Sequence, residues 1–146
     1  MNKIVNNGNS VMDKIKQGVD LVANPVKSTI SPMGRTVIIS ESYVAEYNVN
    51  TLPITVTKDG YRVSRSISST DPEVQVGVRL IQEAAEKQMI DAGDGTSTVC
   101  LLTQSVLDGG IELIKGGASH VDVTNGIKSA VDYVVSELKK MSTPIN

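Results

Sequence analysis

Apolar residues recur three and four positions apart along much of this chain, which is the spacing of one face of an α-helix. The first such segment begins after Ser10 and carries Val11, Ile15, Val19, Val22 and Val26. Gly18 and Pro25 interrupt the pattern, so we expect a helix whose last turn is kinked or closely packed. Pro32 and Gly34 should end it.

Three further segments show the same spacing. One begins at Pro72 with Asp71 placed to cap it, one follows residues 91–98 and ends at residues 116–117, and one starts near Ser119, which stands in capping-box-like spacing with Asp122. Their apolar positions are Val74, Val78, Ile81, Ala85 and Met89; Val99, Leu102, Val106 and Leu113; and Val123, Ile127, Ala130, Val134, Leu138 and Met141. All three segments are predicted to be helices.

Two short β-branched runs, residues 36–40 and 54–57, flank a polar loop and predict a β-hairpin. Residues 61–67 follow a turn and are of uncertain type. The predicted fold class is therefore mainly α, a multi-helical bundle with one β-hairpin.

Composition narrows the classes of function. The 146 residues are 40% hydrophobic, enough for one domain with a sizeable core, and the net charge of -2 provides no basic stripe for nucleic acid. No apolar run approaches the roughly 20 residues of a membrane span. The single cysteine and the polar N-terminal residues favour a cytoplasmic protein.

That cysteine, Cys100, has apolar neighbours and is predicted to pack in the core, whereas His120 is predicted to be a surface or capping residue.

Residues 91–98, with the sequence DAGDGTST, carry the strongest candidate chemistry. A helix that begins at the Thr/Ser run would direct unpaired N–H groups and its positive dipole end at an anion, and glycines allow close approach of the backbone. Hydroxyls of Thr96, Ser97 and Thr98 can bond phosphate oxygens, and Asp94 has the hard oxygen that Mg²⁺ prefers. The alternative is an ordinary N-cap.

Two other loops lie at junctions between predicted elements, residues 29–35 and residues 57–60. Lys58 could neutralise phosphate charge, and Asp59 could orient a water molecule or a second ion. We hypothesise that both loops converge with the acidic turn on one pocket. A solvated turn is the alternative for residues 58–60.

Four segments resemble, in order and spacing, the N-terminal equatorial segment of group I chaperonins, the GroEL-like family. They are GVDLVANPVKSTISPMGR at 18–35, TKDGYRV at 57–63, AGDGTST at 92–98 and GIKSAVDYVVSEL at 126–138. The resemblance extends from about residue 8 to residue 144. It implies the N-terminal part of an equatorial ATP-binding domain, ending near the junction to an intermediate domain.

The resemblance also implies the function, that of an ATP-driven protein-folding machine built as a homo-oligomeric ring, with unfolded protein clients and a co-chaperonin as partners. It places Mg²⁺ on Asp94 and a K⁺ ion beside the phosphates. It assigns Lys58 and Asp59 to the γ-phosphate, with Asp59 assisting hydrolysis. The other nucleotide-binding residues that it implies are Thr29, Ile30, Ser31 and Pro32 in the first loop and Gly95, Thr96, Ser97 and Thr98 at the phosphates.

The chain departs from the family pattern at Ser31 and Met33, where the family usually has Gly and Lys, and in residues 41–53, which are longer than usual. A Cβ at position 31 restricts positive φ. The chain also stops near the intermediate domain, so we expect apolar helix faces to be exposed and to bind a second copy or a complementary polypeptide. The alternative function is a non-hydrolysing nucleotide-binding or structural remnant of a chaperonin.

Overall fold

The computed structural model describes residues 8–40 and 54–143, which form a mainly helical fold with one antiparallel hairpin, as predicted. The described elements are α1 (Asn9–Thr29), β1 (Val37–Ser40), β2 (Ile54–Thr57), α2 (Gly60–Ser66), α3 (Pro72–Ala92), α4 (Thr96–Lys115) and α5 (His120–Met141). One compact unit ends at Ser105 and a second begins at Val106. None of the described helices is long and apolar enough to cross a membrane.

The core of the first unit is built by α1 and α3, with α2 packed against both. It contains Val19, Val22, Ala23 and Val26 from α1, Val63 from α2, Val74, Val78, Ile81 and Ala85 from α3, and Cys100 from α4. These positions include most of the predicted stripes of α1 and α3. The helix α1 continues through Pro25 to Thr29 and ends before Pro32, as expected.

Helices α1 and α3 cross at a pair of glycines. A Cβ on Gly18 would collide with the carbonyl oxygen of Val74 and would lie 2.8 Å from the Cα of Gly77. A Cβ on Gly77 would collide with the carbonyl oxygen of Ile15. Glycine has a low helix propensity, so Gly18 by itself weakens α1. It is nevertheless needed here, because only a residue without a Cβ allows the two backbones to approach so closely.

An ion pair joins the beginning of α3 to α1. Asp71 caps α3 by accepting a hydrogen bond from the Glu73 N–H (2.9 Å), and its other oxygen accepts one from Lys14 Nζ (2.6 Å). The hydrogen bond from Lys14 and the bond from the Glu73 amide lower the pKa of the Asp71 carboxyl. The predicted cap is thus confirmed and also serves a tertiary contact.

The hairpin pairs Val37 with Thr57 and Ser40 with Ile54. On this ribbon Ile38, Ile54 and Val56 are exposed. The long loop that the sequence places between the strands, residues 41–53, lies outside the described residues.

The second unit contains the end of α4 and all of α5. Val123 and Ile127 of α5 approach Gly110 of α4, where a Cβ would lie 3.8 and 3.9 Å from their side chains. The described part of α5 has no buried residue, and Val131, Val134 and Leu138 are exposed. The exposed apolar face that we expected is therefore present. Ser119 stands at the N-cap position of α5, as predicted, but its side chain makes no capping hydrogen bond, so its spacing with Asp122 does not produce a capping box.

In α4 the buried face differs from the predicted one. Leu102, Val106 and Leu113 are exposed, whereas Thr96, Cys100 and Ile111 are buried.

Burial raises the pKa of the Cys100 thiol from 9.0 to about 11. The thiol is therefore a packing group, as predicted, and not a nucleophile.

Cys100 is expected to resist thiol reagents while the chain is folded. Ellman's reagent should label native Cys100 on the order of 100-fold more slowly than the urea-unfolded chain at pH 8, because two pKa units reduce the thiolate fraction by that factor. The contribution of the buried neutral thiol to the free energy of unfolding should be complete below pH 9. It should decrease as the pH rises towards 11, because the unfolded chain then loses the thiol proton more readily than the folded chain. Equal labelling rates for the native and unfolded chain would contradict this prediction.

Candidate functional site

The acidic turn joins α3 to α4 through two glycines in the left-handed region. Gly93 (φ 72°) ends α3, with its N–H donating to the Met89 carbonyl, and Gly95 has φ 79°. The Gly95 carbonyl accepts the Val99 N–H at 2.9 Å, so Gly95 occupies the N-cap position of α4. Both glycines are needed because other residues rarely adopt positive φ.

Asp94 stands between these glycines with an exposed side chain. Its Oδ1 accepts a hydrogen bond from the Gly95 N–H at 2.6 Å. The N-cap position of α4 is therefore held by Gly95 and not by Asp94. Among the hydrogen bonds of the described residues, none is donated by the N–H groups of Thr96, Ser97 or Thr98. These donors and the free carboxylate oxygen are available to a ligand.

The turn at residues 58–60 lies directly against this helix start. A Cβ on Gly60 would collide with Ser97 Oγ and would lie 3.3 Å from Cγ1 of Val26. Two of the three predicted loops are therefore brought together, with the C-terminal part of α1 beside them. The close approach at Gly60 could not be read from the turn motif.

Asp59 caps α2, the helix that residues 61–67 did not reveal in the sequence. Its Oδ1 accepts from the N–H of Tyr61 (2.9 Å), and its Oδ2 lies 3.7 Å from Arg62 Nε. The Asp59 side chain stays half exposed and Lys58 is exposed. The solvated-turn alternative thus describes Lys58, whereas Asp59 is held in one orientation by the helix that it caps.

The first loop folds back over the end of α1. The Arg35 N–H donates to the Ser28 carbonyl (2.8 Å), and Thr29 is buried with its hydroxyl donating to the Val26 carbonyl (2.7 Å). Ile30, Ser31 and Pro32 are exposed. Within the described residues, no hydrogen bond joins this loop to the acidic turn. The loop approaches the other two only through the end of α1.

This sequence matches the family model of the TCP-1/cpn60 chaperonin family over residues 22–146. The chain belongs to that chaperonin family. Three of the four segments that carry the resemblance lie wholly inside the match, and they include the acidic turn and the turn at residues 58–60. A role related to chaperonins and protein folding follows from membership.

In this chaperonin chain Ser31 has φ 99°, and it is the one non-glycine residue with positive φ in the described segments. The loop therefore has the backbone that a glycine would adopt without strain, although a serine occupies the position. Such a conformation costs a side-chain-bearing residue about 1–3 kcal/mol. The strain lies within one of the predicted nucleotide loops.

Ser31→Gly is expected to stabilise the chain by about 1 kcal/mol, because glycine relieves the strain and the gain exceeds its added entropy in the unfolded state. Urea unfolding followed by circular dichroism measures the change. Ser68→Gly is the matched control, since Ser68 is exposed in a loop with negative φ, and it should cost about 0.5–1 kcal/mol. A loss of stability in Ser31→Gly equal to that of the control would contradict the strain.

Asp94 offers a carboxylate oxygen beside the start of α4, and oxygen is the ligand atom that Mg²⁺ takes. The described residues hold no group of three His, Cys, Asp or Glu side chains that could cage a metal ion by themselves. Magnesium commonly takes one or two carboxylates and completes its octahedron with water and substrate phosphates. In that arrangement the exposed Asp94 carboxylate would supply the protein ligand and the N–H groups at the start of α4 would bind the phosphates. Of the hydroxyl residues that follow, Thr96 is buried, Ser97 is half-buried and Thr98 is exposed.

The sequence did not reveal Gln88. This residue lies in the last turns of α3, and its Nε2 donates to the Asp94 carbonyl at 2.7 Å. A glutamine on a helix carries no signal of such a contact, because the partner depends on how the chain reverses after α3.

An open groove of about 280 Å³ beside α2 contains none of the predicted site residues; it is lined by Ile39, Thr55, Tyr61, Arg62, Arg65 and Ser66.

Proposed function

We propose that this chain is the N-terminal part of the equatorial domain of a group I chaperonin subunit, and that residues 94–98 bind the phosphates of Mg-ATP. The observation that carries the proposal is the start of α4, where N–H groups that have no acceptor among the described residues stand beside the exposed carboxylate of Asp94. Family membership over residues 22–146 supplies the context.

Phosphate binding would use the backbone and hydroxyls of Thr96, Ser97 and Thr98. Their N–H groups lie at the positive end of a 20-residue helix, which favours an anion. Gly95 allows the positive φ with which the turn leads into this backbone. Bound Mg²⁺ would neutralise phosphate charge, and the Asp94 carboxylate would hold it there.

Hydrolysis in a complete subunit would depend on the turn at residues 58–60. Lys58 would add positive charge near the γ-phosphate, and Asp59 would orient the attacking water. The Asp59 carboxylate suits this role because its bond to the Tyr61 amide keeps it in place. Gly60 packs against Ser97 and so links this turn to the phosphate-binding backbone.

The remaining nucleotide contacts would come from Thr29, Ile30, Ser31 and Pro32, with a K⁺ ion beside the phosphates. The exposed apolar face of α5 and the exposed side of the hairpin supply surfaces for the rest of the subunit and for neighbours in a homo-oligomeric ring. Unfolded clients and a co-chaperonin would bind through other domains, in the cytoplasm.

A second candidate is a structural or non-hydrolysing remnant of a chaperonin. It is favoured by the strained Ser31 and by Met33, which is 93% exposed in the loop assigned to the nucleotide. Phosphate release from ATP by the complete assembly would separate the two candidates. Turnover supports the chaperonin ATPase, whereas binding without turnover supports the remnant.

Calorimetric titration of the purified chain with ATP tests the proposal. We expect binding in the presence of Mg²⁺ and binding at least about tenfold weaker when a chelator removes the metal, because the phosphates and Asp94 then repel each other. A chain that is folded by circular dichroism but produces no binding heat would overturn the proposal for this polypeptide.

A further inference from the structure

The Asp94–Gly95 peptide group is held on both of its sides. The carbonyl of Asp94 accepts the hydrogen bond from Gln88 Nε2 (2.7 Å), and the N–H of Gly95 donates to Asp94 Oδ1 (2.6 Å). Because the carbonyl and the N–H belong to one planar unit, fixing the first also fixes the direction of the second. The hydrogen bond from the Gln88 amide therefore fixes the orientation of the peptide plane, and the Gly95 N–H in that plane holds the Asp94 carboxylate.

This peptide needs an outside support. It ends at Gly95, and Gly93 precedes Asp94; both glycines have positive φ, and their backbones are the most easily rotated in the turn. The side chain of Gln88 is half-buried at the end of α3 and also lies over Gly95, where a Cβ would be 3.3 Å from Nε2. A rigid helix thus presents one amide donor to a pair of flexible residues.

We propose that Gln88 is a positioning residue, which sets the orientation of the Asp94 carboxylate for Mg²⁺ through the Asp94–Gly95 peptide; the role in metal binding rests on the function proposed above. With Oδ1 held by the Gly95 N–H, Oδ2 would be the oxygen left to hold the metal. Outer groups that orient a ligand typically change metal affinity by about 10–100-fold when they are removed.

The decisive variant is Gln88→Met, which keeps the length and packing of the side chain but cannot donate a hydrogen bond. Gln82→Met is the matched control. Gln82 lies on the same helix and donates from Nε2 to two backbone carbonyls, those of Ser64 (2.7 Å) and Ile67 (2.9 Å), away from the acidic turn. The control reports what the loss of an equivalent amide does to stability alone.

Two measurements are made on each full chain. Amide hydrogen exchange of Gly95, without nucleotide, reports whether the peptide is held. The second measurement is the Mg²⁺ concentration at which the increase in ATP affinity caused by Mg²⁺ is half complete. It reports whether the Asp94 carboxylate is held in the orientation that binds the metal. We expect faster exchange at Gly95 and about a tenfold higher Mg²⁺ requirement in Gln88→Met, with affinity for metal-free ATP unchanged. Gln82→Met should alter neither value.

The outcomes separate the two proposals. Unchanged Gly95 exchange in Gln88→Met would overturn the positioning role, whatever the nucleotide result. Faster exchange with the wild-type Mg²⁺ requirement would also overturn it, since the carboxylate would then be oriented without Gln88. A third outcome is that the wild-type chain binds no nucleotide while Gly95 still exchanges faster in Gln88→Met. That result would overturn the proposed function and the role of Gln88 in metal binding, and it would support only the statement that Gln88 fixes the Asp94–Gly95 peptide.

Discussion

Gly77→Ala is expected to destabilise the first unit by about 3 kcal/mol or more, which is a large part of the stability of a small domain. The added Cβ would meet the Ile15 carbonyl oxygen and would lie 2.9 Å from the Ile15 carbonyl carbon and 3.0 Å from the Gly18 Cα. Backbone atoms of a packed helix cannot rotate away as a side chain can. Helix α1 would have to move off α3 and open the core between Val22 and Val78.

Urea unfolding monitored by circular dichroism measures this effect, and Gly126→Ala provides the control. Gly126 lies within α5, and a Cβ there would meet no atom within 4 Å. The control should gain up to about 1 kcal/mol, because alanine favours helix over glycine. Similar changes in both variants would show that helix propensity, and not the crossing of α1 and α3, governs position 77.

Asp94→Asn is expected to weaken Mg-ATP binding by at least about 100-fold while the fold is retained. Asparagine keeps a side-chain oxygen that can accept the Gly95 N–H, so the turn should persist. It removes the negative charge that a magnesium ion requires from its protein ligand. Calorimetry with Mg-ATP, together with thermal unfolding of the unliganded chain, measures both consequences.

The matched control is Asp91→Asn, which makes the same change of charge three residues earlier at the exposed end of α3. It should leave Mg-ATP affinity within about twofold of wild type, because an exposed charge outside the turn is screened by solvent. If both variants lose affinity equally, the general negative charge of this region is responsible, and Asp94 has no specific role.

Local chemistry made several elements predictable. Asp71 and Pro72 indicated the start of α3, because a capping carboxylate and a proline suit the first helical turn, and the apolar period of α1 indicated which side chains are buried. Helix α2 was not predicted, since seven residues are too few for a period and its start depends on the Asp59 cap. Ser119 and Asp122 have capping-box-like spacing, but only the structure showed that the serine makes no cap.

For the candidate site, the sequence indicated which groups can bind an anion, and Asp94 and Gly95 stand in the turn that it predicted. It did not indicate Gln88, or the packing of Gly60 on Ser97. Both contacts join residues of different elements, and their distances depend on where α3 ends and how α2 meets α4. Two of the three loops are therefore in contact, through Gly60 and Ser97, and the shared pocket stays a prediction.

The sequence by itself determined the helices with long apolar stripes, the hairpin, the family and the chemical types at the acidic turn, because these depend on short-range spacing and residue type. Only the tertiary structure decided that Gly18 and Gly77 form a helix crossing, that Ser31 takes a glycine conformation, and that Gln88 holds the Asp94 peptide. These features arise from packing between distant segments, and packing is set by the position of whole elements and not by the pattern within one.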